Sequence, residues 1–230
     1  MVVREGAATY GLGMASILIF GGHGKIALLA EPLLVNAGHT VDAVIRNPDH
    51  RDEVAATGAN PIVADVEQLE PEDMQDLVEG HDVVIWSAGA GGGDPERTEA
   101  VDRDAAIRSI GASQVAQVPR YVMVSYFGAG PDHGVPEDEG FFTYAEAKAA
   151  ADAYLRAADV DAVVLGPSRL LDEPGTGTVS VGDTEGTGVP RADVAAVIAA
   201  VVDNPEVKNV TFEFNAGDVP VAEAVQSLVE

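Results

Sequence analysis

Tyr144 and Lys148 stand four residues apart in YAEAK, and Ser125 closes the apolar run RYVMVS. On a helix, a spacing of four puts two side chains on one face. A free phenol titrates near pH 10, give or take about one unit in proteins. An ammonium beside it favours the phenolate and brings that value down. The phenol then exchanges a proton with a carbonyl or an alcohol near neutral pH. A serine at the end of a strand reaches the same crevice and polarises the substrate oxygen. Ser125, Tyr144 and Lys148 together read as a hydride-transfer site. Plainer readings stand beside this one: an exposed helical pair for Tyr144 and Lys148, and a strand-end cap for Ser125.

Hydride transfer needs a donor, and the stretch FGGHGKIA (20–27) offers a place for one. It follows the apolar run Ile17–Phe20 and opens a helical pattern. Read as Gly21-x-x-Gly24-x-x-Ala27, it lets Gly21 make the sharp turn and Gly24 admit a diphosphate to the backbone. Ala27 lets the helix pack close to the strands. The phosphates then meet the free N–H groups and positive end of the helix. Gly21, Gly22, His23, Gly24, Lys25 and Ile26 are the expected contacts, with His23 and Lys25 adding charge. The same glycines also suit a tight corner with no ligand.

The second strand ends in Arg46 and Asn47, where an NAD-reading protein usually carries a carboxylate for the ribose hydroxyls. A guanidinium there suits the 2′-phosphate of NADP, so NADP(H) is expected ahead of NAD(H), although Arg46 also reads as an ordinary exposed arginine. Asp65 ends the third strand, where it meets the adenine amino group or caps the following turn, with Val66 against the ring. Ser87, Ala88 and Gly89 end the fourth strand. Their small size lets a cofactor lie on the backbone.

The elements that hold these residues alternate. Apolar runs predict strands at 16–20, 40–45, 61–64, 82–86, 120–125, 161–166 and 209–214. Helical patterns lie at about 24–37, 49–57, 71–79, 96–117, 141–158, 191–203 and 220–229. Continuous runs such as DVVIW suit a parallel sheet buried on both faces. The alternation makes the fold class α/β, a Rossmann-type doubly wound parallel sheet of about seven strands. One compact domain is expected over 14–230, with 1–13 as a loose extension that lacks the apolar core of a signal peptide. Two polar loops break the rhythm, 89–97 and 172–188, both after the carboxyl ends of strands, where such sheets bind ligands.

Composition narrows the classes further. The 230 residues include no cysteine, which excludes disulfides and thiolate chemistry, and the five histidines show no metal-ligand spacing, so no metal is expected. With 38 Asp and Glu against 13 Lys and Arg, the formal net charge is −25. Such a surface repels nucleic acid and anionic membranes. It fits either an ordinary acidic protein or one adapted to high salt. No run approaches the roughly 18 apolar residues of a membrane span, and a cytoplasmic chain is expected.

On these motifs the chain resembles the atypical branch of the short-chain dehydrogenase/reductase superfamily, whose members include epimerase/dehydratase-like and NmrA-like NAD(P)-binding proteins. GGHGKIA matches that family's glycine turn, VDRDAAIRSIGASQVAQVPRYVMVSYFGA resembles its fourth helix and fifth strand, and GPSRLLDEPGTG resembles the segment over the nicotinamide. The resemblance implies that Ser125 orients substrate, Tyr144 gives and takes the proton, and Lys148 holds the nicotinamide ribose. It also implies contacts from Pro167, Ser168 and Leu170 to the nicotinamide end. His23 stands where Thr or Asn is common, and Ala27 replaces the third glycine. The substrate lobe of sugar-nucleotide epimerases is missing.

The function expected is NADP(H)-dependent oxidation or reduction of a small neutral carbonyl or alcohol by a monomer or homodimer. A non-catalytic NADP(H) sensor and a flavin or quinone reductase of the same fold remain as alternatives.

Overall fold

The computed structural model describes residues 13–91, 94–183 and 185–229. The extension read at 1–13 therefore lies, Gly13 apart, outside the described residues, as do two glycines of the loop 89–97.

The chain alternates strand and helix in the expected order. The elements are β1 (Ser16–Phe20), α1 (Ala27–Asn36), β2 (Thr40–Ile45), α2 (Arg51–Ala55), β3 (Asn60–Val63), α3 (Pro71–Val78) and β4 (Val83–Trp86). After them come α4 (Pro95–Thr98), α5 (Ala106–Val115), β5 (Arg120–Val124), α6 (Phe142–Ala157) and β6 (Asp161–Pro167). The last part holds β7 (Leu170–Leu171), β8 (Thr178–Val181), β9 (Val189–Pro190), α7 (Arg191–Asp203), β10 (Val210–Ala216), β11 (Val219–Pro220) and α8 (Val221–Gln226).

The main sheet has nine strands in the order β11-β8-β10-β6-β5-β4-β1-β2-β3. The seven strands read from sequence form its parallel part. β8 joins β10 antiparallel, with Val181 opposite Phe214, and β11 joins β8 the same way. β7 and β9 make a separate parallel pair. The loop read at 172–188 is thus partly strand: β-branched alternation in TVSV was overlooked among glycines.

β1 is an interior strand covered on both faces, which is why its residues are almost all apolar. Ile17 and Ile19 face one layer, with Leu34 of α1 and Val194, Val197 and Val201 of α7. Leu18 and Phe20 face the other, with Met74 of α3, Ile110 of α5 and Leu155 of α6. Cutting Leu18 to alanine in such a layer costs about 2–5 kcal/mol. Chain order reverses at β1: β2 lies on one side and β4 on the other. That switch point is where a doubly wound sheet opens a crevice.

The helix read as continuous over 96–117 is not uniform. Between α4 and α5, Glu99–Ala105 wind as a π-helix. Wider winding of this kind is rare and concentrates at functional sites. It brings Asp102 inward, where its Oδ2 accepts the Ala90 amide at 3.0 Å.

One of the buried polar positions lies on α1. Glu31 of α1 is fully buried, and Thr57 donates to its Oε2 at 2.8 Å. Its Oε1 has no partner among the described residues. Burial raises its pKa to about 7, against the pull of the Thr57 hydrogen bond and of His23.

Candidate active site

The glycine turn sits at the switch point. Gly21 has φ +82°, which favours glycine, and a Cβ there would lie 2.6 Å from the Ala88 backbone. A Cβ on Gly22 would lie 2.6 Å from that of Ala43. Both glycines hang from the Val44 carbonyl, their amides donating at 3.2 and 2.9 Å. Among the described residues, the amides of His23, Lys25 and Ile26 donate to no backbone oxygen. The turn therefore presents free N–H groups at the head of α1, which fits a diphosphate.

A cleft of about 280 Å³ runs from this turn over the ends of β2, β3 and β4. Gly21, His23, Gly24, Arg46, Asn47, Asp65, Val66, Ser87, Ala88 and Gly89 line it, all of them expected there. His50, Glu67 and Arg97 line it too, and the sequence reading missed them. Glu67 ties the cations together: its Oε1 accepts from Arg46 Nη1 at 3.2 Å and from Arg97 Nε at 2.8 Å. The His23 and His50 rings stack with centroids 3.5 Å apart. The Asp65 carboxylate accepts the Glu67 amide at 3.1 Å, the capping role that was the plainer reading. Asn47 Oδ1 accepts the Asp49 amide and caps the turn that follows.

Gly22 and the side chains of Lys25 and Ile26 do not line this cleft. Gly22 is buried against β2. Ile26 is buried and lines the neighbouring chamber instead. Lys25 points away, and its exposed ammonium meets Asp172 at 3.0 Å. Arg191 reaches the same carboxylate at 2.6 Å, so this acidic partner, far along the chain, explains the displacement.

Past Ser87–Gly89 the cleft widens into a chamber of about 580 Å³ lined by Ser125, Tyr144, Asp102, Phe141 and Leu170. It continues into a further space of about 570 Å³ that adds Pro167 and Ser168. The Ser168 hydroxyl is already engaged, accepting the Gly188 amide at 2.9 Å.

Ser125 and Tyr144 thus share one chamber, and Lys148 lies one turn behind Tyr144 on α6. Lys148 is 1 % exposed, and its Nζ donates to the Val124 carbonyl at 2.8 Å and to Met123 Sδ at 3.4 Å. Burial pulls its pKa below the usual ammonium value, against the attraction of Asp152 and Asp102. Asp152 is wholly buried, accepts the Ser125 hydroxyl on Oδ2 at 2.6 Å, and leaves Oδ1 without a partner among the described residues. Burial also holds Asp152 and Asp102 above the usual carboxylate range.

These carboxylates correct the expected electrostatics of Tyr144. Its pKa lies above the free phenol value, raised by burial first and then by Asp102, Asp152 and Tyr126. The ammonium that was to lower it is turned toward the end of β5. Asp152 was legible in one respect: it follows Lys148 by the same four residues that separate Lys148 from Tyr144.

Among the described residues no group of three or more His, Asp or Glu is arranged to hold a metal ion. No described helix is long and apolar enough to cross a membrane.

With this switch-point cleft at its centre, the chain belongs to the NAD(P)H-binding family, whose match covers residues 21–205. It is 33% identical to an uncharacterized sugar epimerase of Bacillus subtilis, over 92% of this chain and 99% of that one. A UPF0659 protein of Schizosaccharomyces pombe is also 33% identical, over 94% of this chain and 96% of its own. Among solved structures, an NAD-dependent epimerase/dehydratase-like protein of Bacillus halodurans superposes with a TM-score of 0.83 at 31% identity, over 93% and 99% of the two chains.

Proposed function

We propose that the protein is an NADP(H)-dependent oxidoreductase that reduces a small neutral carbonyl compound through Ser125, Tyr144 and Lys148. The observation that carries this reading is the continuity of the cleft. Ser87–Gly89 belong both to the nucleotide cleft and to the chamber holding Ser125 and Tyr144.

Bound NADPH supplies a hydride to the carbonyl carbon. The chain supplies the rest. The free amides of the glycine turn receive the diphosphate, and the small residues Ala88 and Gly89 leave room along β4. Tyr144 Oη gives its proton to the carbonyl oxygen, which completes the alcohol, and the phenol is reprotonated from solvent. The raised pKa suits this direction, because Tyr144 holds its proton until the oxygen becomes basic. Lys148, already donating to Val124 and Met123, has one donor left for a ribose hydroxyl. Arg46, Arg97 and the stacked imidazoles at the far end support a 2′-phosphate and hence NADPH over NADH.

Paired titrations with NADPH and NADH test the nucleotide, and a carbonyl screen with Tyr144→Phe as control tests the chemistry. An enzyme of this kind loses turnover in Tyr144→Phe and keeps nucleotide binding. If the wild type binds nucleotide but reduces nothing that Tyr144→Phe does not, the chain is a sensor or works by proximity. If neither nucleotide binds, the reading fails.

A further inference from the structure

Beyond Tyr144 the chamber is walled by rings. Phe141 stands edge-on to Tyr126, with centroids 5.2 Å apart and planes at 85°. Tyr144 closes the group at 5.0 Å from Phe141 and 5.7 Å from Tyr126. With Phe127, these make four of the twelve Phe, Tyr and Trp in the chain. They are not there to fill the core, since Phe141 is 44 % exposed at the mouth. An aromatic group left open beside a reactive phenol calls for a ligand that covers it.

Charge limits what that ligand can be. Among the described residues lining these two chambers, Arg169 is the one cation, and it is exposed at the rim. The amides at the head of α4, which faces the chamber, are taken by Asp94, whose Oδ1 accepts from Glu96 and Arg97. Asp102 adds a buried carboxyl to the same wall. A diphosphate finds no helix end or clustered cations here.

Resting on the oxidoreductase reading above, the geometry points to a flat, uncharged, conjugated ketone or aldehyde as the substrate class. Its ring packs against Phe141 and Tyr126 while its carbonyl oxygen meets Tyr144 Oη and Ser125. The step balances as an ordinary carbonyl reduction. NADPH, the reductant, gives the hydride to carbon, Tyr144 gives the proton to oxygen, and an alcohol and NADP⁺ leave. A sugar nucleotide is excluded from this chamber.

The test uses three probes with the full chain: 2-acetylnaphthalene, cyclohexyl methyl ketone and UDP-glucose. Binding of each is measured by calorimetry, with the chain alone and with saturating NADP⁺, and turnover is followed with NADPH. The naphthyl ketone is expected to bind most tightly and to be reduced in a Tyr144-dependent way. Phe141→Leu keeps an apolar side chain at an exposed position, so folding is not at risk. It is expected to weaken naphthyl binding about threefold to tenfold, the worth of an aromatic contact, while leaving cyclohexyl binding and the NADP⁺ affinity unchanged. Equal or better binding of the cyclohexyl ketone or of UDP-glucose, with nucleotide bound, overturns the slot and spares the oxidoreductase reading. Equal losses for both ketones in Phe141→Leu also overturn it. Absence of nucleotide binding overturns the oxidoreductase reading instead, and ketone binding to the chain alone still decides the slot.

Discussion

Ser125 donates its hydroxyl proton to Asp152 across 2.6 Å, from the end of β5 to the middle of α6. A serine has one proton to give. While Asp152 is ionised, Ser125 can only accept from a ligand. When Asp152 is protonated, which burial favours, the carboxyl can donate and the serine proton is released toward the substrate oxygen. On the proposed function, Asp152 is therefore a positioning residue for Ser125. Asp152→Asn and Ser125→Ala are each expected to lower kcat/KM about tenfold, the scale of one charge-assisted hydrogen bond. NADPH affinity should stay unchanged. In the double variant the losses should not add, because the two residues act as a unit. Strictly additive losses would separate them.

Tyr144 should show its buried setting in the pH profile. Its phenol keeps the proton well above neutral pH, so carbonyl reduction is expected to hold its rate from about pH 6 into the alkaline range. Oxidation of the alcohol needs the phenolate and should climb with pH over the same interval. Tyr144→Phe should lose about 10²- to 10⁴-fold in turnover, the usual worth of a positioned acid. A reduction rate that falls between pH 6 and 8 (about one unit either side of neutrality) would point to a phenol titrating where the free group does not.

Glu67 holds the two arginines that a 2′-phosphate would need. Part-exposed pairs of this kind contribute about 0–1 kcal/mol, so a phosphate can displace the carboxylate. Glu67→Gln is expected to tighten NADPH severalfold, with little change for NADH, and Arg46→Ala to weaken NADPH about tenfold. Fluorescence titration at two salt concentrations reads both effects, and salt should shrink each. An equal response of NADH to Arg46→Ala would remove the 2′-phosphate from the account.

Glu31 ties stability to pH. The folded chain releases this proton near pH 7, whereas an ordinary glutamate releases it at 4.5. The folded state therefore keeps a proton that the unfolded state has already lost. The stability this provides is complete below about 4.5 and is lost as pH rises toward about 7. The loss is on the order of 3 kcal/mol at about 1.36 kcal/mol per unit. Glu31→Gln should raise Tm at about pH 8 and do little at about pH 4.5. A gain of equal size at both pH values would assign the effect to packing.

Most of the fold was legible because its parallel strands are short, largely apolar runs set between polar or turn-forming stretches. SILIF and TVDAVI carry their limits in their composition. The four extra strands were not legible, because two- and four-residue strands leave no period to detect. Ser125, Tyr144 and the glycine turn stood out by type and spacing. Lys25 did not behave as read, because its nearest acid lies 147 residues along the chain. The aromatic wall escaped notice because Tyr126 and Phe141 come from different elements that only the sheet brings together. Tyr144's proton affinity escaped for the same reason: Asp102 reaches it from the helix after β4.

The π-wound segment at Glu99–Ala105 has a consequence for the way this chain can be edited. Winding at one residue more than the usual turn rotates everything after it by about 100° relative to everything before. Asp102 lies within that segment and faces the chamber. Deleting a single residue there would restore ordinary winding, swing the carboxyl out of the chamber, and leave the strands and α6 in place. The chamber would lose one of its two lining carboxyls, Asp102, and keep the other, Asp94, by a change in length alone.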